Sequence, residues 1–255
     1  MYRIDLNSDL GESFGNYKIG CDELVIPLIS SANVACGYHA SDPVVMRQTI
    51  HMAAESGIGI GAHPGFPDLM GFGRRNIAVT PSEAKDYTTY QLGALSAFCR
   101  AQGVALQHVK PHGAMYNMAG KDYALAKAIC EAIREFDDNL IVMALSGGEL
   151  LHAAKDMGLR AASEVFADRA YEEDGSLVNR KKPGAMITDE DEAIARVVRM
   201  IREKKVTAIT GKDIPIEADS VCVHGDGPKA LAFVTKIRET LAAEGISICP
   251  LSEIV

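Results

Sequence analysis

An apolar run of strand type that stops at a cluster of polar, titratable side chains recurs along this chain, and the recurrence narrows the folds open to it. The fullest instance lies at 104–117, where the apolar stretch 104–109 gives way at Pro111 and Gly113 to a tip carrying Lys110, His112, Tyr116 and Asn117. Pro111 has no N–H to give a ladder and biases Lys110 toward extended backbone, so the strand is expected to end there. The same change of character occurs at 7–12, 33–39, 63–64, 164–169 and 224–226. A buried strand with an open carboxyl end is how α/β folds present chemistry. The pattern points to an enzyme.

Helical patterns separate these strands. Ser41 or Asp42 before Pro43 marks a helix start running to about residue 56, and Thr80-Pro81-Ser82-Glu83 marks another reaching about residue 101. Residues 122–136 place Leu125, Ala126, Ile129 and Ile133 three or four apart. Further helices are expected at 147–157, 189–204 and 228–244, with a short one within 21–30. Strands are expected at 2–6, 31–36, 57–62, 104–109, 140–145, 160–166 and 220–223, with a closing strand at 246–249. Residues 206–216 read as a hairpin, and 167–184 as a long functional loop. Alternating strands and helices imply parallel strands with right-handed crossovers. Polar clusters follow nearly every strand, whereas an open sheet gathers them at its switch point. One α/β domain over 1–255 is therefore expected, a TIM-like (β/α) barrel of about seven strands.

Charge and cysteines restrict the partners. A formal net charge of −8 without a basic block argues against nucleic acid and against an anionic membrane surface. No window approaches the roughly 20 apolar residues of a membrane span, and residues 1–6 lack the character of a signal peptide. Six scattered cysteines, with no CxxC pair, fit a reduced, cytoplasmic protein. The sequence is compatible with a homo-oligomer.

Of seven histidines, His39, His63, His112 and His224 fall at expected strand ends, His51 and His152 in helices, and His108 within a strand. A barrel would gather the first four around one pocket, where they could bind a metal or act as acid and base. Any one alone reads as a loop histidine bonded to backbone. Asp9, with Asn7 and Glu12 beside it, could ligate a metal, orient a histidine or activate water; turn capping is the plainer alternative. Glu164 lies in an apolar run and needs a partner, which Arg169 or Lys110 could supply. Lys110 borders the core, where a lysine pKa is readily depressed, making it a candidate base or carbonyl or phosphate ligand. The glycine-rich stretches 71–75 and 225–228 are weak anion-site signals. No Walker loop, GxGxxG or GxSxG is present.

Taken together, seven stretches resemble the LamB/YcsF family, that of the A subunit of bacterial ATP-dependent 5-oxoprolinase. They are Asp5-Leu-Asn-Ser-Asp-Leu-Gly-Glu12, Asn33-Val-Ala-Cys-Gly-Tyr-His-Ala-Ser-Asp-Pro43, Gly61-Ala-His-Pro-Gly65, Gly71-Phe-Gly-Arg-Arg75, Val109-Lys-Pro-His-Gly-Ala-Met-Tyr-Asn117, Glu164-Val-Phe-Ala-Asp-Arg-Ala-Tyr171 and Cys222-Val-His-Gly-Asp226. The resemblance implies a barrel of the glycoside hydrolase/deacetylase type. It also implies ATP-coupled opening of 5-oxo-L-proline to L-glutamate in a complex with B and C subunits, which could hold most of the ATP. On that basis Asp9, Lys110, His112 and Glu164 are catalytic candidates. Asn7, Glu12, Asn33, Arg74, Arg75, Asn117, Asp168, Arg169, His224 and Asp226 are candidates for binding substrate or phosphate. Asp9, His39, His63 and His112 are candidates for a divalent metal. Two alternatives stay open: a metal-dependent deacetylase of a small amide or carbohydrate, and a non-catalytic ligand-binding subunit.

Overall fold

The first strand, β1 (Tyr2–Leu10), runs four residues past its expected end. The polar run that reads as a loop is thus strand, and it is strand because its side chains find partners inside a barrel. The computed structural model describes residues 2–223 and 228–255. After β1 come α1 (Asp22–Val25), β2 (Ser31–Ala35), α2 (Pro43–Glu55), β3 (Gly59–His63), α3 (Pro81–Ala101) and β4 (His108–Val109). Then follow α4 (Gly113–Ala119), α5 (Tyr123–Phe136), β5 (Ile141–Leu145), α6 (Glu149–Asp156), β6 (Ala161–Phe166) and α7 (Glu190–Glu203). The chain continues through β7 (Lys205–Thr207), β8 (Asp213–Pro215), β9 (Ser220–Cys222), α8 (Pro228–Ala243) and β10 (Ile246–Ile248).

Seven parallel strands close in the order β1-β2-β3-β4-β5-β6-β9 and back to β1. β10 pairs in parallel with Tyr2, Arg3 and Ile4 only, outside that closure. β7 and β8 form the separate antiparallel hairpin. Helix starts follow the local chemistry: Asp42 caps α2 by accepting from Val44 and Val45 N–H, and Thr80 and Glu83 form a reciprocal capping box on α3. Each cap contributes about 1 kcal/mol. Among the described residues, no helix is long and apolar enough to cross a membrane.

Two local expectations are corrected. The strand expected over 104–109 shrinks to the two residues of β4. The polar tip beyond it carries a short helix, α4, which starts directly after His112. A Cβ at Gly113 would stand 2.6 Å from the Gly73 carbonyl oxygen, and Gly113 has φ +54°, so glycine lets the helix begin hard against the loop after β3. The excursion after β6 is folded: Arg169 bridges Met186, Tyr171 bridges Leu177, and Ala170, Val178 and Ala185 make a small core.

The barrel floor combines an apolar plug with a buried acid. Leu251, in the turn after β10, packs on Ile141, Met143 and Ala162. Beside them Asp5 accepts from Ser30 Oγ (2.6 Å), Ser31 Oγ (2.7 Å) and Ser220 Oγ. Burial, only partly offset by these hydroxyls, pushes the Asp5 pKa up to about 6. A carboxyl raised in the folded state has its stabilising effect below the unfolded value near 4, and loses it as pH rises through about 6. Asp5→Asn should therefore gain on the wild type by up to ~3 kcal/mol between pH 4 and pH 8. Urea midpoints across that range measure the gap; a constant gap would refute the assignment.

Candidate active site

Side chains two apart on a strand share a face, so β1 turns Asp5, Asn7 and Asp9 inward together. Lys110, one residue past β4, meets them. Its Nζ lies 2.9 Å from Asp9 Oδ1 and 2.6 Å from Glu164 Oε1. It also donates to Asn7 Oδ1 (3.2 Å) and Cys222 Sγ (3.3 Å), and sits 5.5 Å over the Phe166 ring. Asn33 Nδ2 bridges Asn7 Oδ1 (2.8 Å) and Asp9 Oδ1 (2.9 Å). Burial opposes the Lys110 charge, but the Asp9 and Glu164 carboxylates outweigh it and hold its pKa well above the usual lysine range. The expectation of a depressed, basic lysine is therefore overturned: Lys110 is a fixed cation. It is also the partner of Glu164, since Arg169 Nη2 turns instead to the Val178 carbonyl at 2.7 Å. Tyr116 OH donates to Glu164 Oε2 at 2.6 Å, and burial followed by that carboxylate raises its pKa well above the ordinary phenol.

A second cluster stands at the ends of β1, β2, β3 and β4. Glu12, His39, His63 and His112 are all buried, with one donor atom from each within 4.8 Å of the others. His39 and His112 stack in parallel, centroids 3.8 Å apart. Burial, then the neighbouring histidines, drives both well below the ordinary imidazole pKa, so they are neutral. Glycines after β3 make room for them. A Cβ on Gly65 would come 2.6 Å from His39 Nδ1, and one on Gly73 2.7 Å from His39 Cβ and 2.9 Å from His112 Cδ2.

The cluster fits a divalent cation. His63 Nδ1 faces the Lys110 carbonyl (2.7 Å) and His112 Nε2 the Phe72 carbonyl (2.8 Å). A carbonyl only accepts, so those nitrogens carry the hydrogens, and His63 Nε2 and His112 Nδ1 point at each other 3.0 Å apart. Two bare lone pairs at that distance call for a cation or a proton between them. Glu12 Oε1 lies 3.5 Å from His39 Nε2 and 3.6 Å from His112 Nδ1. A tetrahedral ion with bonds of about 2.1 Å needs donors roughly 3.4 Å apart. Among the described residues, neither His39 ring nitrogen has a hydrogen-bond partner. The group contains Glu12 where the sequence suggested Asp9; Asp9 Oδ1 is engaged by Lys110 and Asn33, and Oδ2 lies 3.3 Å from His63 Nε2.

The remaining candidates divide. Asn7 and Asn33 belong to the Lys110 network. The Arg74 guanidinium lies 4.9 Å over Phe72, whose ring stands edge-on to His39 and His112. Arg75 is paired with Asp68 through two nitrogens. Asp168 and buried Arg169 open the excursion after β6. Asn117 is exposed, about 100° around α4 from Tyr116. His224 and Asp226 lie outside the described residues. His51 and His152 are exposed on helices beside Glu55 and Glu149. The sequence reading gave no role to His108 or Cys222. Both face the interior, His108 two residues before Lys110 and Cys222 two after Ser220, and strand alternation alone would have found them.

The sequence model of the LamB/YcsF family matches residues 4–255. This chain belongs to the LamB/YcsF family. It is 65% identical over 254 residues to a Clostridium beijerinckii protein named as the A subunit of 5-oxoprolinase, covering 100% of both chains. A lactam utilization protein from Thermus thermophilus superposes with a TM-score of 0.91 at 43% identity, over 97% of this chain and 99% of that one. T48 deacetylase, at 11% identity and a TM-score of 0.50 over 99% of this chain and 90% of that one, shares the barrel fold.

Removing the cation from between buried Glu164 and half-buried Asp9 leaves charge uncompensated. Lys110→Met should lower folding stability by roughly 3–5 kcal/mol, and adding Glu164→Gln should return part of the loss. Denaturant melts of the single and double variants check this; equal stability in wild type and Lys110→Met would contradict the ion-pair reading.

Proposed function

We propose that this chain opens the lactam of 5-oxo-L-proline to L-glutamate as the A component of a multi-subunit, ATP-dependent 5-oxoprolinase. The observation that carries the reading is Lys110, a permanent cation between Asp9 and Glu164 at the open end of the barrel. The full-length likeness to relatives named for that activity supplies the substrate. An unstrained five-membered lactam is a poor electrophile. Phosphoryl transfer from ATP to the amide oxygen would activate it and release ADP; water then adds to the ring carbon, the C–N bond breaks as the nitrogen gains protons to become the amine, and a second water hydrolyses the resulting acyl phosphate to carboxylate and phosphate. Lys110 would balance charge on the acyl or phosphoryl oxygen. Asp9, the half-buried carboxylate of the pair, would take the proton from water. Arg74 and Arg169 would face the substrate carboxylate or phosphate.

Two features support partners and compartment. Exposed Tyr17 and Met70 lie on the loops after β1 and β3, Val44 opens α2, and exposed Tyr90 stacks on Tyr38. Tyr17, Val44 and Met70 follow the carboxyl ends of β1, β2 and β3, as a surface covered by B and C subunits would. All six cysteines are free, in keeping with a reducing cytoplasm.

The test is glutamate formation from 5-oxoproline and ATP, by this chain alone and mixed with B and C subunits. The mixture should be active only with ATP, and Asp9→Asn or Lys110→Ala should lower turnover about 10²–10³-fold. Full activity in both variants would move the chemistry to the partners and leave this chain a ligand-binding role.

The Glu12–His39–His63–His112 group favours a second reading, a metal-dependent amide hydrolase of the deacetylase kind. A divalent ion bound there would polarise an acyl oxygen and acidify a water. Titration with Co²⁺ should give a visible absorption band in the wild type that is lost in His39→Ala and weakened in Glu12→Gln. Hydrolysis of acetylated sugars or small amides with metal and without ATP would then favour this reading over the first.

A further inference from the structure

Four residues lie in register across four adjacent strands: Asp9 opposite Asn33, Asn33 opposite Gly61, and Gly61 opposite His108. Gly61 has no side chain, and the His108 ring occupies the space above it. A Cβ at Gly61 would stand 2.1 Å from His108 Nε2. Crossing that gap, His108 Nε2 reaches Asn33 Oδ1 at 2.7 Å, while Asn33 Nδ2 contacts Asn7 Oδ1 and Asp9 Oδ1.

The direction of each bond follows from what each group can do. Asp9 is a carboxylate paired with Lys110 and accepts only, so Asn33 must turn its NH₂ toward it. Asn33 Oδ1 then faces His108, which must donate. Burial, then the Lys110 charge, pushes the His108 pKa down to about 3, so the ring is neutral and has one N–H. That hydrogen is on Nε2. His108 Nδ1 is thereby an acceptor; the atom 3.2 Å from it is Gln107 Oε1, so this tautomer requires the Gln107 amide to flip and present its NH₂ to the ring in place of the oxygen.

We propose that His108 is a positioning residue: by donating from Nε2 across Gly61 it locks the Asn33 amide, and through Asn33 it fixes the carboxylate of Asp9 against Lys110. Without that donor the buried Asn33 Oδ1 loses its partner, and only the bonds from Asn33 Nδ2 to Asn7 and Asp9 oppose rotation of an amide that, once turned, presents its oxygen to Asp9 and repels it. The consequence for turnover rests on the 5-oxoprolinase reading; the direction of the hydrogen bond does not.

Two experiments separate these levels. In the chain alone, ¹⁵N–¹H correlation of the imidazoles should show His108 neutral with hydrogen on Nε2, and the Nδ1–H form would overturn the proposal whatever the activity. In the mixture with B and C subunits and ATP, His108→Leu should lower kcat about 10–100-fold with KM within about twofold. His108→Gln, whose amide can still donate to Asn33, should restore most of kcat, and Gly61→Ala, which displaces the ring, should behave like His108→Leu. A purely structural role would lower the melting temperatures of His108→Leu and His108→Gln alike and leave kcat per folded molecule unchanged, and that result would overturn the proposal. If the wild-type mixture makes no glutamate, the 5-oxoprolinase reading fails, and the tautomer decides the positioning role.

Discussion

The ion triad of Asp9, Lys110 and Glu164 sets the terms for the rest of the barrel. A buried ammonium is costly in a dry interior and persists only with close counter-charges and hydrogen bonds. Here β1 supplies one carboxylate, β6 the other, and the residue after β4 the cation, so three strands must close in one register for any of the charges to be compensated. Asn7, Asn33 and Tyr116 take up remaining hydrogen-bonding capacity of the same groups. The triad is poor evidence for extra stability, because a well-packed apolar core of equal volume would hold as well. What it sets up is an uneven pair: a cation whose pKa is held well above the usual lysine range lies beside a half-buried carboxylate.

The second cluster differs electrostatically although it shares Asp9 as a neighbour. Its His39 and His112 imidazoles are neutral because burial outweighs attraction from the acids, and neutral imidazole is the form that ligates a metal or accepts a proton. Charged and neutral donors thus sit side by side, meeting at the contact between Asp9 Oδ2 and His63 Nε2. Glycines at 65 and 73 keep backbone close enough for the His39–His112 stack. The roof of the site is therefore built from main chain, which holds its shape better than long side chains do.

Much of this was legible in advance. Alternating periodicities specified parallel strands and helices, and the caps at Asp42 and Thr80 placed two helix starts to the residue. The gathering of Asp9, Lys110 and Glu164, and of His112 with His39 and His63 beside them, followed from their position at strand ends. Legibility failed where tertiary partners override local signals. Asn7 and Asp9 look like turn formers, yet they lie in strand because Lys110 and Asn33 receive them. Residues 104–107 have an apolar, strand-like pattern, but only His108 and Val109 find ladder partners. The direction of the Lys110 shift depends on two acids distant in sequence, and no local pattern encodes their approach.

The closure of β1 has a bearing on how the protein is made. Asp5 on β1 and Ser220 on β9 are 215 residues apart in sequence, and the floor also needs β10 and the turn at Leu251. During synthesis β1 can pair with β2 early, but its other edge must wait for nearly the whole chain, and contacts of such separation form late and slowly. The acid that meets Lys110 is therefore brought into a dry environment only when the last staves of the barrel arrive. A nascent or truncated chain that ends before β9 would keep β1 paired to β2 yet leave the barrel open beside Asp5 and Asn7, so that burial of the Asp9–Lys110 contact becomes a report on completed topology.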